Sequence, residues 1–341
     1  MTLLLPEKVR SAAREALLRS GVPPGHADIQ VDLWLDADLR GIGSHGLLRL
    51  PRIVERIKQG LADPKTRGAQ TWRGDSFLEV DGQMGLGPVI ALGALEAIMD
   101  RARQTGVAIA AVGNAQHIGM LAWYAERVAS AGQVAIVLST SEALVHPWGG
   151  RQALVGTNPI AIGVPTGEAE PFVMDTATSV VSMGEIHDRA NRGLPLEPGW
   201  ALNAHGEATM DAEAAKAGAI APFAGAKGYA LGLAFELLVS TLTGAALGRD
   251  VRGTLDAEHV CNKGDVFIVI DRARAIGIAN YLETIRNAVP AEGFDAVLIP
   301  GERGRALREK RRFEGVPIAD PVWNQIQALA GASEHVQENI L

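Results

Sequence analysis

Apolar residues recur at helical spacing near the start of the chain and give way to short strand-like runs further on. Val9, Ala13 and Leu17 repeat every four positions up to Gly21, and a second run passes from Pro23-Pro24 through Ile29, Leu33 and Leu39 to Gly41. This periodicity predicts two helices, each closed by a glycine. A third is expected to begin near Ser44, with Pro51 removing a backbone hydrogen bond and bending it. From about residue 75 the texture changes: apolar stretches at 77–80, 107–112, 134–138, 172–174, 266–270 and 296–299 read as strands separated by glycine-rich turns. Helices are expected over about 88–103, 119–131, 227–246, 277–288 and 320–330. The pattern predicts an α/β protein with a helical subdomain over 1–73, a sheet domain over 74–300, and C-terminal helices of 301–341 returning to the first part.

Composition narrows the function class. A chain of 341 residues is long for one core, so more than one subdomain is expected. With 47% hydrophobic and 21% charged residues it reads as a globular protein in water, and its net charge of −7 argues against nucleic acid as the main partner. The single cysteine, Cys261, cannot close an internal disulfide, which suits a reducing compartment. The opening Met-Thr-Leu-Leu-Leu-Pro-Glu-Lys has too short an apolar run for a secretory signal, and no stretch reaches the roughly 18 apolar residues of a membrane span. A cytoplasmic location is expected.

The candidate chemistry gathers in a few segments. In Arg40-Gly-Ile-Gly-Ser-His-Gly-Leu-Leu-Arg49, a helix starting at Ser44 would set His45 and Arg49 one turn apart on one face. That spacing suits a 2-oxo acid, its carboxylate on the arginine fork and its carbonyl oxygen on the imidazole. Equally, Ser44 can be a helix cap and Arg49 a solvated charge. His117, in Gly113-Asn-Ala-Gln-His-Ile-Gly119, is expected in the first turn of a helix, where the dipole favours a neutral ring and free N–H groups can hold an anion. Thr157 and Asn158 precede Pro159 in an extended or turn conformation, and Met174-Asp-Thr-Ala-Thr-Ser179 is a strand end running into a hydroxyl-rich turn. Lys227 stands at a glycine-flanked helix start, which fits a pyrophosphate contact or a surface lysine. No dinucleotide-binding Gly-x-Gly-x-x-Gly or Walker A pattern is present, and Gly82-Gln-Met-Gly-Leu-Gly87 reads as a tight turn.

Taken in order, Arg40–Gly46 with Arg49, His-Ile-Gly at 117–119, Gly-Thr-Asn-Pro at 156–159, Met-Asp-Thr-Ala-Thr at 174–178 and Ala-Lys-Gly-Tyr at 226–229 resemble the malate/L-lactate dehydrogenase-like oxidoreductases. Relatives of that family include ureidoglycolate and sulfolactate dehydrogenases and the reductase of piperideine-2-carboxylate. The resemblance spans essentially the whole chain. It implies a non-Rossmann α/β fold of the L-sulfolactate dehydrogenase type, its helical subdomain packed on a mixed, largely antiparallel sheet that binds NAD or NADP, and a homodimer acting on a small carboxylate substrate. It further implies a proton relay of His45, Ser44 and Asp188, with Arg49 and Thr157 on the substrate. The cofactor would be lined by His117, Ile118, Gly119, Met120, Leu121, Ser141, Asp175, Thr176, Ala177, Lys227, Gly301, Glu302 and Arg303. Within the family the acid/base role falls to the histidine matching either His45 or His117. His45 is favoured here, since Asp188 would raise its pKa while a helix start would lower that of His117. Glu142 stands where the ureidoglycolate enzyme has an aspartate, which weakens the case for that substrate. The alternative enzyme class is a metal-dependent hydrolase or lyase using His45, His117 and Glu185/His187/Asp188, although no His-x-x-x-His spacing supports it. A non-catalytic binding protein on a decayed enzyme fold is a third reading.

Overall fold

The computed structural model describes residues 2–331; residues 332–341, the last part of the expected C-terminal return, lie outside the described residues. Helices α1 (Pro6–Arg19) and α2 (Pro24–Leu39) form where the four-residue spacing places them. Each opens on a proline, whose missing N–H is no loss in a first turn. After α2 the chain departs from expectation. No helix starts at Ser44; Gly43–His45 and Leu47–Arg49 are separate 3₁₀ turns split by Gly46 in extended conformation, and α3 runs from Leu50 to Lys58. Pro51 therefore sits in the first turn of α3, where it bends nothing.

Seven strands form the principal sheet, in the order Ala69–Trp72, Phe77–Asp81, Val107–Gly113, Asp265–Ile270, Val134–Ser139, Ile160–Val164 and Phe172–Thr176. All neighbours pair antiparallel except Phe77–Asp81 with Val107–Gly113, which are parallel and joined by α4 (Gly87–Thr105) as the crossover. The sheet is thus mixed and largely antiparallel. Alternating side chains serve two cores. Ala135, Val137, Phe267 and Val269 join the large core shared by α1, α2, α4 and α5 (Ala122–Ser130), while Ile136, Leu138, Val266 and Ile268 face the opposite side.

After the edge strand Phe172–Thr176 come α6 (Met183–Asn191), which the sequence did not announce, and α7 (Ala212–Ala215). They pack around a separate small core of Ile186, Leu196, Ala201, Ala212, Ala215 and Ile220. Helix α8 (Ala226–Thr243) then covers the second face of the main sheet through Phe235, Val239 and Leu242. Beyond Asp265–Ile270 follow α9 (Ile278–Arg286), α10 (Glu302–Glu314) and α11 (Asp320–Leu329). Residues 296–299, expected as a strand, pair with no strand among the described residues; Leu298 is exposed and only Ile299 is buried, since four apolar residues without a partner edge do not make a ladder. The basic run 302–312 is helical, and its Arg308 reaches back to Asp36 and Glu126. Thr2–Leu4 pairs antiparallel with Val316–Ile318, and α11 lies against α1, so the C-terminal elements close on the N-terminal helices.

Candidate active site

The turn carrying His45 is held from below by a buried carboxylate. Asp38, in the last turn of α2, accepts the Leu47 N–H at 2.8 Å. A Cβ on Gly46 would lie 2.1 Å from its Oδ1, so only glycine fits above it. From this seat Arg49 Nε donates to the Ser44 carbonyl at 2.8 Å, and Ser44 Oγ lies 2.9 Å from His45 Nδ1. His45 and Arg49 thus meet, as expected, but through two tight turns and not along one helical face.

Burial pushes the Asp38 carboxyl up to about 7, against the Leu47 N–H and Arg311, which favour its charge. The ordinary value is 3.8, so between about 4 and 7 the folded protein keeps a proton that the unfolded chain releases. Stability should fall across that window as pH rises, and stay level above it, by on the order of 4 kcal/mol in all. Asp38→Asn keeps an acceptor for Leu47. It is expected to match the wild type near pH 4 and exceed it near pH 8 in urea unfolding; a constant difference at both pH values would contradict this.

His117 enters from the loop after Val107–Gly113. Its ring centroid stands 5.3 Å from that of His45, with the planes at 43°. The helix beyond starts only at Ala122, so His117 lies outside its first turn and the expected dipole effect is replaced by another cause. Burial, then Arg49, His45 and Lys263, drive the pKa of His117 well below the ordinary value. Gly119 N donates to His117 Nδ1 at 3.0 Å, which places the proton of the neutral ring on Nε2. Gln116 anchors the loop, accepting from Arg56 Nε at 2.7 Å and donating to the Leu61 carbonyl at 2.8 Å.

Around His45 the electrostatics differ from expectation. Burial and then Arg49 push its pKa down to about 3, so the ring is neutral. Asp188 does not counter this. It sits one turn into α6 and pairs with Arg192 at 3.1 Å, the i,i+4 partner its own helix supplies. The start of α6 nonetheless touches the turn, since a Cβ on Gly184 would lie 2.9 Å from Ser44 Cβ. A small cavity of about 30 Å³ opens between Arg49, Arg52, Arg56, His117 and Thr254.

Several of the remaining motifs are tied to one another by hydrogen bonds. Asp175 Oδ2 accepts the Ala122 N–H at 2.7 Å, joining the 174–178 turn to the His117–Leu121 stretch. Ser141 and Thr157 touch through their hydroxyls at 3.0 Å, and Thr157 N donates to Ser141 Oγ at 2.8 Å. Thr178 N and Oγ1 both donate to the Thr157 carbonyl, at 2.8 and 2.9 Å. The Gly301 turn, with Glu302 and Arg303 opening α10, packs on the edge strand; a Cβ on Gly301 would stand 2.6 Å from the Val173 carbonyl. Lys227 is exposed in the first turn of α8. Glu185 and Asp188 are paired with Arg189 and Arg192, and among the described residues no group of three or more His, Cys, Asp or Glu side chains is placed to hold a metal ion. The metal-dependent alternative therefore draws no support.

Two supporting residues escaped the sequence reading. Asp38 is one. Glu236 is the other: buried in α8, it accepts from Gly156 N at 3.0 Å, Asn158 Nδ2 at 2.7 Å and Gly248 N at 2.6 Å, fixing the Gly-Thr-Asn-Pro turn. A lone carboxylate inside the apolar run 230–239 was the available signal, because a buried charge needs partners.

Comparison with known proteins identifies the family and the fold. Residues 5–327 match the family model for malate/L-lactate dehydrogenase. L-sulfolactate dehydrogenase of Methanocaldococcus jannaschii is 34% identical over 96% of both chains. The (2R)-3-sulfolactate dehydrogenase (NADP(+)) of Chromohalobacter salexigens is 34% identical over 95% of this chain and 96% of its own, and the ureidoglycolate dehydrogenase (NAD(+)) of Escherichia coli K12 is 30% identical over 94% and 93%. Among solved structures, a dehydrogenase from Sinorhizobium meliloti superposes with a TM-score of 0.93 at 50% identity, covering 96% of this chain and 98% of that one. The M. jannaschii sulfolactate dehydrogenase follows at 0.90 and 33%, over 97% of each. The fold expected from the resemblance is the one found, and this chain, an oxidoreductase, belongs to the malate/L-lactate dehydrogenase family.

Proposed function

We propose that this protein transfers a hydride reversibly between NAD or NADP and C2 of a small 2-hydroxy acid, with Arg49 gripping the carboxylate and His45 handling the hydroxyl proton. The observation that carries the reading is the convergence of two neutral imidazoles 5.3 Å apart with one arginine whose Nε is already committed to the Ser44 carbonyl. A neutral His45 is a base, as oxidation of a hydroxyl requires. Arg49 helps to hold it neutral, so a substrate carboxylate on Arg49 offsets that positive charge and raises the basicity of His45 when substrate is bound. Ser44 Oγ at Nδ1 orients the ring, and with Asp188 occupied by Arg192 the relay in this state is His45 and Ser44. His117, protonated on Nε2, is suited to donate a hydrogen bond to the substrate oxygen.

The surroundings fit a nicotinamide dinucleotide. The His117–Leu121 stretch runs with Gly119 at φ +81° toward the N–H groups of α5, where Ala122 N donates to Asp175, and Ser141, Asp175–Ala177, the Gly301–Arg303 turn and the exposed Lys227 ammonium are the further groups proposed to line the cofactor. The bound cofactor would supply or take up the hydride. Relatives named for NAD(+) and for NADP(+) make both candidates. The test is a panel of 2-hydroxy acids, 2-oxo acids and cyclic imines with each cofactor, read by nicotinamide absorbance. Turnover on at least one pair is expected; no absorbance change with any would end the proposal.

The chain is also proposed to act as a homodimer. Helix α8 leaves Leu231, Leu237 and Leu238 exposed at 44%, 49% and 43%, an apolar face that a second copy would cover. Light scattering is expected to give twice the 36.0 kDa chain mass, and a monomer at micromolar concentration would refute this.

A further inference from the structure

Three arginines of one helical region, Arg49, Arg52 and Arg56, point at the same stretch of loop. Arg52 donates to the Leu255 carbonyl. Arg56 spends all three nitrogens: Nε on Gln116 Oε1, Nη1 on the Asp256 carbonyl at 2.8 Å and Nη2 on the His259 carbonyl at 3.0 Å. Arg49 Nη1 reaches the Thr254 carbonyl only at 3.4 Å, a weak bond that leaves most of its fork available. From the other side the loop is held by one carboxylate oxygen. Glu142 Oε1 accepts from Thr254 N at 2.8 Å, Thr254 Oγ1 at 2.8 Å and Leu255 N at 2.9 Å, a span of more than a hundred residues in sequence.

Neither half of this arrangement works alone. Without a grip on the Thr254 and Leu255 N–H groups the loop can lift, and Arg52 and the buried Arg56 lose their carbonyl partners. Freed guanidinium groups would then compete with Arg49 for an anion. We propose that Glu142 is a positioning residue for the substrate anchor: by pinning Thr254 and Leu255 it keeps Arg52 and Arg56 occupied and leaves Arg49 as the arginine that presents free donors to the substrate carboxylate. Glu142 also lies next to Ser141, which touches Thr157, so the same short segment ties the loop to the Ser141–Thr157 contact. The charge of Glu142 favours the protonated state of Arg49 against burial and Arg52, which lower it to about 10. The assignment rests on the reading of Arg49 as carboxylate anchor.

Two variants and two measurements test it. In Glu142→Ala, amide hydrogen exchange in a peptide covering 253–256 should quicken about tenfold or more, since three hydrogen bonds lose their acceptor. The KM for the carboxylate substrate should rise roughly 10- to 100-fold, with the KM for NAD(P) within about twofold of wild type. Glu142→Gln retains an acceptor oxygen and should restore most of the protection and most of the KM. Unchanged exchange at 253–256 in Glu142→Ala overturns the proposal, as does an equal rise of both KM values, which would indicate general loosening. Should the wild type turn over no hydroxy or oxo acid, the functional reading fails by itself. The exchange measurement on the unliganded protein then still decides whether Glu142 holds the loop.

Discussion

His45→Ala is expected to lower kcat about 10²–10⁴-fold, the usual contribution of a positioned acid or base, while NAD(P) binding stays within a few-fold of wild type. Cofactor affinity should survive because the residues proposed to line the cofactor sit on other segments: Asp175 on an edge strand, the 117–121 stretch on its own loop, Lys227 on α8. His117→Ala is the comparison that separates the two histidines. Its ring keeps a donor N–H but spends Nδ1 on Gly119, so it should cost substrate polarisation without removing the base. If His117→Ala is the more damaged in kcat and His45→Ala retains turnover, the assignment reverses. A pH profile adds a second check. With its pKa pushed down to about 3, His45 in the free enzyme is neutral throughout pH 5–8, so kcat/KM for hydroxy acid oxidation should show no acid limb from this group in that range. A limb near 6.5 that disappears in His45→Ala would contradict the electrostatics described above.

What the sequence made legible, and what it did not, follows from the range of the interactions. Helices α1 and α2 and five of the seven strands of the principal sheet were readable because local periodicity specifies them. Ala69–Trp72 and Ile160–Val164 were not, because what determines them is pairing across the sheet, with Phe77–Asp81 for the first and with Val134–Ser139 and Phe172–Thr176 for the second. The meeting of His45 with Arg49 was foreseen for a reason that does not hold: a helical face was expected, whereas the turn is shaped by Gly46 resting on Asp38. The neutrality of His117 was likewise expected from a helix dipole and arises from burial. Pairing Asp188 with His45 came from resemblance alone, and its own helix offers it Arg192 instead. Glu142 was noticed only as a departure from one relative. Its hold on Thr254 and Leu255 joins distant segments that no local pattern connects.

Arg49→Lys is expected to raise the KM for the carboxylate substrate about 10- to 100-fold with a smaller fall in kcat, although the charge is kept. A single ammonium cannot bond two carboxylate oxygens and the Ser44 carbonyl in the geometry of a planar fork. Losing the 2.8 Å bond to Ser44 also relaxes the turn that aims His45, which is why kcat should not be wholly spared. Arg52→Lys is the matched control: Arg52 bonds a loop carbonyl from a half-exposed position, so its KM effect should stay below about threefold. Equal effects of the two substitutions would remove Arg49 from the anchor role. Arg49→Met separates charge from shape. Both substitutions break the fork, but only methionine removes the cation that helps to hold His45 neutral, so the His45 pKa should rise in Arg49→Met and stay depressed in Arg49→Lys. The sign is fixed: a higher pKa means that the base form is lost sooner as pH falls, so the acid limb of kcat/KM should move to higher pH in Arg49→Met alone. A limb that moves in both variants, or in neither, would show that Arg49 does not set the proton affinity of His45, and the coupling between carboxylate binding and base strength would fail with it.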